Sequence, residues 1–215
     1  MSASKPRALL FDLGGVVIDI DFDRAFHAWQ PISRLSFQEI KRAFKFDAQY
    51  ERHERGEITG SEYFEHLSLT LGLNGTRHQI AAGWNAIYVR EISETAEILR
   101  AVRAHVPCYA FTNTNATHLT ACLSLFNNLT NSFDRVFASN EIGLRKPERR
   151  AFEHIAHAIS IPVASIMFFD DLIANVDGAT VAGLQAVHVG SPGDVKNALD
   201  AAGFTLESTD RIEHH

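Results

Sequence analysis

Several short apolar runs in this sequence stop abruptly at residues able to do chemistry. Ala8 to Phe11 ends at Asp12 and is followed by Gly14 and Gly15, which let the backbone turn tightly. Val106 to Phe111 ends at Thr112-Asn113-Thr114-Asn115, and Ser165 to Phe169 ends at the paired acids Asp170-Asp171. A fourth piece, Leu144-Arg145-Lys146-Pro147, puts a lysine directly before a predicted helix with proline at its first position. Considered alone, Asp12 fits a turn cap as well as a reactive group. In an open parallel sheet, however, ligands sit beyond the carboxyl ends of the strands, so all four pieces are expected to face one crevice.

Those residue types suit phosphoryl transfer through a covalent intermediate. A carboxylate such as Asp12 can attack phosphorus and carry the group as an aspartyl phosphate, dividing one displacement into two. Charge developing on the phosphoryl oxygens needs fixed donors, which the Thr112 hydroxyl, the Asn113 backbone amide and the Lys146 ammonium would supply. An anionic phosphate is repelled by an ionised carboxylate, and Mg²⁺ held by Asp12 and Asp171 would screen that repulsion. The neighbours Asp170 and Asp171 point the same way, because two adjacent acids need a cation or a lysine close by.

The elements that must position these residues follow from periodicity. Helical patterns occupy residues 22–30 (stopped by Pro31), 36–46 (opened by the capping box Ser36-Phe37-Gln38-Glu39), 48–55, 61–71 and 77–89. None of these pieces reads as a strand, so residues 20–89 are expected to form an inserted helical cap. Beyond it, strands at 106–111, 135–138, 165–169 and 185–189 alternate with helices at 93–105, 116–126, 147–159, 173–182 and 192–202. That alternation predicts an α/β fold, a doubly wound, Rossmann-like parallel sheet with right-handed crossovers, built from residues 1–19 and 90–215.

Four motifs in this order resemble the haloacid dehalogenase superfamily, over nearly the whole chain: Phe11-Asp-Leu-Gly-Gly-Val-Val17, Phe111-Thr-Asn-Thr-Asn115, Arg145-Lys-Pro147 and Phe168-Phe-Asp-Asp-Leu-Ile-Ala-Asn-Val176. Arg55-Gly-Glu-Ile58, Leu144-Arg-Lys-Pro147 and Phe169-Asp-Asp171 are similar to its glucose-1-phosphate phosphatase-like branch. The resemblance implies a Mg²⁺-dependent phosphatase acting on a small phosphorylated metabolite, such as a sugar 1-phosphate. It implies Asp12 as nucleophile and metal ligand, the Gly14 carbonyl and Asp171 on the metal, and Thr112 and Lys146 on the phosphoryl oxygens. Asp170 would assist the metal shell or fix Lys146, and Asn175 would brace the motif from one helical turn along.

Position 14 departs from the family pattern. Family phosphatases usually carry an aspartate there as general acid and base, a contribution of about 10²- to 10⁴-fold. With Gly14 in its place, three alternatives stand: an easily expelled leaving group, proton transfer by water or a flap carboxylate such as Asp19 or Asp21, or a phosphate- or phosphosugar-binding relative with little turnover. Dehalogenases of the superfamily also lack that acid, but they attack carbon without a metal and typically lack the paired acids, so 2-haloacid dehalogenation is the secondary enzymatic reading.

The remaining features set limits. At 215 residues, 46% apolar and 21% charged, the chain has the composition of a globular protein with a sizeable core. A net charge of −6 without any Lys/Arg-rich run argues against nucleic acid as a partner. No run approaches the roughly 18 apolar residues needed to span a bilayer, and two cysteines without ligand spacing, Cys108 and Cys122, fit a reducing, cytoplasmic setting. The expected assembly is a monomer or a homodimer. Asp19, Asp21 and Asp23 alternate like a calcium loop, but Arg24 and Gln30 stand where Gly and Glu are needed, so capping and solvation are expected. His154 and His157 share a helix face with no third ligand, and Glu213-His214-His215 has the look of a purification tag. Among the cap aromatics Trp29, Phe44, Phe46, Tyr50, Phe64, Trp84 and Tyr88, most are expected in a small core and one or two on a pocket wall. Arg52, His53 and Arg55 are the cap candidates for gripping a phosphosugar.

Overall fold

The computed structural model describes residues 5–204. Its centre is strand β1 (Ala8–Phe11), in which every residue is fully buried. Leu9 and Phe11 point into one apolar layer and Ala8 and Leu10 into the other, as a strand covered on both faces requires. Two short strands, β2 (Ile18–Ile20) and β3 (Tyr88–Glu91), precede β4 (Cys108–Thr112), β5 (Arg135–Ala138), β6 (Ile166–Asp170) and β7 (Gln185–His188). The main sheet runs β5-β4-β1-β6-β7, every pairing parallel, with helices on both faces. This is the predicted doubly wound α/β architecture. The chain steps outward from β1 to β4 and β5, then returns to the far side of β1 to make β6 and β7. The switch point therefore lies between β1 and β6, where such sheets open a crevice at their carboxyl edge.

Between β2 and β3 lie five helices, α1 (Phe22–Trp29), α2 (Phe37–Ala43), α3 (Ala48–Glu54), α4 (Gly60–Leu71) and α5 (Arg77–Asn85). They start where capping chemistry places them. Glu39 accepts from the Ser36 amide at 2.8 Å, and Asp21 accepts from the Asp23 amide at 2.8 Å. The helices share an apolar cluster of their own, centred on Trp29 and Trp84, whose rings stack 6.0 Å apart. Trp29 approaches α5 so closely that a Cβ built on Gly83 would lie 2.3 Å from its Nε1.

Two expectations need correction. The helix predicted over 77–89 ends at Asn85, and Tyr88–Glu91 instead pairs antiparallel with Ile18–Ile20, so this stretch does contain a strand. A three-residue strand exists only through its partner, and that partner is some seventy residues away, outside the reach of local periodicity. Pro147 is likewise not the first helical residue. The helix begins at Arg149, with Glu148 at the N-cap position, and the Lys146–Pro147 peptide is cis. The tag-like terminus lies outside the described residues. Among the described residues, no helix is long and apolar enough to cross a membrane.

Gly83→Ala tests the packing of the helical unit. On helix propensity alone the change stabilises by up to about 1 kcal/mol. The clash with the rigid Trp29 indole should reverse that sign and lower stability by about 1–3 kcal/mol in a denaturant titration.

Candidate active site

The carboxyl ends of β1, β4 and β6 deliver the predicted residues to one place. Asp12 follows β1 directly, its amide donating to the Phe169 carbonyl of β6 at 2.8 Å. Its side chain accepts from the Leu13 amide at 2.7 Å and from Lys146 Nζ at 2.8 Å. Lys146 reaches across to Asp170 as well, at 2.7 Å, and is itself buried. The rings of Phe111 and Phe168 lie 5.4 and 5.5 Å from its ammonium and close off water. Burial alone would pull the lysine toward neutrality, but Asp12 and Asp170 more than offset this and hold its pKa above the ordinary value.

Asp170 is fully buried and engaged on both oxygens. Besides Lys146 it accepts from the Leu172 amide (2.9 Å) and from the Asn175 carboxamide (3.0 and 3.1 Å). Of the two roles open to it, this geometry matches fixing Lys146. Asn175 holds Asp170, five residues back. Asn113, expected to offer its backbone amide, also uses its side chain. Its side chain donates to the Lys146 carbonyl (2.9 Å) and accepts from the Lys146 amide (2.8 Å), clamping the lysine backbone to the end of β4. Thr112 ends β4 beside it.

Asp171 is half-buried and sits against the glycine turn. Gly15 adopts φ +75°, and a Cβ there would lie 2.3 Å from Asp171 Oδ2, so both its backbone and its missing side chain are required. Gly14 meets another neighbour. A Cβ at position 14 would lie 2.9 Å from Ile20 Cδ1, so an isoleucine of β2 covers the spot where family phosphatases place their acid.

Oxygens of Asp12, Asp170 and Asp171 lie within 4.8 Å of one another. Three carboxylates share one ammonium. Burial, with Asp170 and Asp171 nearby, pushes Asp12 up to about 7 against the pull of Lys146, and burial followed by Asp170 raises Asp171. A hard divalent cation on Asp12 and Asp171 would relieve this excess of negative charge, and their all-oxygen donor set suits Mg²⁺.

Above this floor opens a cavity of about 450 Å³. Phe46, Tyr50 and Tyr88 line it, while Trp29, Phe44, Phe64 and Trp84 belong to the cluster of the helical unit, close to the expected division. The expected phosphosugar grip is not there: Arg52, His53 and Arg55 do not line the cavity. Arg52 pairs with Glu57 on the surface, Arg55 with Glu148, and His53 is buried against the Tyr63 ring. Asp19, Asp21 and Asp23 also stay outside, as an Arg90 partner, a helix cap and a Lys41 partner. Sequence reasoning missed Glu54, a buried carboxyl on the wall that takes two bonds from Arg145 at 2.9 and 2.8 Å. Its neighbour in the Leu144-Arg-Lys-Pro147 motif was the available signal.

A family model described as haloacid dehalogenase-like hydrolase matches residues 6–183. The chain belongs to that family. This haloacid dehalogenase-like hydrolase is similar to the sesquiterpene phosphatase AstK of Aspergillus oryzae, 27% identical over 188 residues that cover 85% of this chain and 89% of the relative. It is similar also to the D-ribitol-5-phosphate phosphatase of Bacteroides thetaiotaomicron, 21% identical over 173 residues, or 78% of this chain and 84% of the relative. Among solved structures, a haloacid dehalogenase family enzyme of Bacteroides thetaiotaomicron in complex with magnesium and inorganic phosphate matches with a TM-score of 0.75 at 26% identity, covering 85% of this chain and 93% of that one.

His118 joins the two halves of this hydrolase, stacked under Trp84 at 4.3 Å with its ring nitrogens facing the Trp84 carbonyl and Asn115. Burial holds its pKa down to about 3. In the unfolded chain histidine titrates near 6.5, so between those values the unfolded state binds more protons. The stability involved is complete above about pH 6.5 and is lost as pH falls, at up to about 1.4 kcal/mol per pH unit. Denaturant titrations at falling pH should show that slope, and His118→Gln should make it shallower; identical slopes in the two proteins would refute the assignment.

Proposed function

We propose that the chain is a Mg²⁺-dependent phosphatase that hydrolyses small phosphate monoesters through an aspartyl phosphate on Asp12. The observation that carries this reading is the buried Lys146 ammonium held between Asp12 and Asp170 at 2.8 and 2.7 Å. It leaves Asp12 facing a cavity with a cation on one side and a cation-deficient acid, Asp171, on the other. Relatives named as phosphatases, one acting on a sesquiterpene and one on D-ribitol 5-phosphate, support the reaction class.

Asp12 attacks phosphorus in line, the ester P–O bond breaks, and the alcohol leaves, taking its proton from water. A second water then attacks phosphorus, the P–O bond to Asp12 breaks, and inorganic phosphate and the free carboxylate result. Lys146 and Thr112 bind the equatorial oxygens throughout. Asp12, Asp171 and the Gly14 carbonyl are the groups that would hold Mg²⁺, which when bound supplies electrostatic screening between the phosphate and the nucleophile. Asp170 and Asn175 keep Lys146 in place. Residues 20–89, folded as the helical unit, act as the cap that closes the cavity and sets specificity. The chain works in the cytoplasm as a monomer or homodimer.

The test is phosphate release from p-nitrophenyl phosphate and a panel of metabolite phosphates. Activity should require Mg²⁺, vanish on EDTA treatment and return on readdition. Asp12→Asn should lower kcat by at least about a thousandfold while leaving the fold intact. Undiminished turnover in that variant removes the mechanism, and halide release from a 2-haloacid in the presence of EDTA would favour carbon attack instead.

A further inference from the structure

The wall of the active-site cavity differs in character from its floor. Ile18, Ile20, Phe22, Phe46, Ile87 and Leu119 face the space above Asp12. The polar groups among them are already committed to each other. Tyr88 Oη donates to the His118 carbonyl at 3.0 Å, and the His118 ring is held by Trp84 and Asn115. Tyr50 shares a hydrogen bond with Glu54, whose charge is neutralised by Arg145, and Arg145 spends its remaining arm on Glu51 at 3.1 Å. Asn113 is used on both sides by the Lys146 backbone.

A polyhydroxylated alcohol would lose its hydration here and find few partners in return, at a cost of about 1–3 kcal/mol for each group left unpaired. A hydrocarbon chain would lose nothing and would bury apolar area against the wall. Ile20 sharpens the contrast. Its terminal methyl lies where a side chain at position 14 would begin, so that part of the wall is hydrocarbon. At the mouth, Phe46 is 63% exposed yet braced edge-on by Phe22 at 5.3 Å and Tyr50 at 4.9 Å, an apolar surface extending outward from the cavity.

We propose that the alcohol portion of the substrate is an apolar alkyl or alkenyl chain, so that the enzyme is a phosphatase of hydrophobic monophosphates rather than of sugar phosphates. This rests on the phosphatase reading above. The overall reaction is unchanged: the ester and water give the free alcohol and inorganic phosphate.

The experiment is a chain-length series of n-alkyl monophosphates from ethyl to decyl, each below its micellar concentration, with Mg²⁺ and the full chain. Leaving-group acidity is nearly constant along the series, so the wall alone is read. The expected result is a rise in kcat/KM of about three- to fourfold per added methylene until the cavity is filled. Glucose 1-phosphate and ribose 5-phosphate should fall well below the decyl ester, and Phe46→Ser should cut the decyl-to-ethyl ratio by about tenfold. A flat series, or sugar phosphates outpacing the decyl ester, with p-nitrophenyl phosphate still hydrolysed, overturns this proposal while leaving the phosphatase standing. Absence of hydrolysis for every ester, p-nitrophenyl phosphate included, overturns both.

Discussion

One buried ammonium organises this molecule. Lys146 is almost completely removed from water, and an isolated charge in that position would cost far more than the fold could bear. Its two carboxylate contacts come from neighbouring strands of the sheet, Asp12 after β1 and Asp170 at the end of β6. Its backbone is clamped by Asn113, at the end of a third strand. The carboxyl edge of the sheet is therefore held in register by the same contacts that fix Asp12 beside Lys146. Two carboxylates around one ammonium already leave the site negative; the third, Asp171, adds to that excess, which a divalent cation would offset.

Around this centre the chain separates charge from apolar surface. The floor holds the carboxylates, Lys146 and Thr112, while the wall is made by the β2–β3 ribbon and the helices between those strands. Gly14 and Gly15 form the seam. Gly15 is required by its positive φ and because Asp171 occupies the space of a side chain, while Gly14 borders the tip of Ile20. The same turn thus brings Asp171 close to Asp12 and puts the Ile20 side chain beside Gly14.

What was legible in the sequence follows from which forces act locally. Apolar runs ending in Asp12, Thr112 and Asp170 read correctly as strand ends, because burial on both faces leaves a continuous signature. Helix starts at Ser36 and Asp21 were legible through capping. The β2–β3 ribbon was not, since Ile18–Ile20 and Tyr88–Glu91 form strands only by finding each other. The wall was misjudged for a related reason. Arg52, His53 and Arg55 have suitable chemistry, but helix α3 turns Glu54 inward instead, where Arg145 can neutralise it. Asn113 and Asn175 were recognised as site residues, yet their side-chain partners, Lys146 and Asp170, depend on tertiary distances that no spacing rule contains.

The central claim is that Asp12 becomes covalently phosphorylated, and the stereochemistry at phosphorus reads this most directly. Hydrolysis of a phosphate ester made chiral at phosphorus with oxygen isotopes or sulfur should proceed with net retention, because two in-line displacements each invert the centre. Net inversion would mean a single displacement by water and would contradict the account.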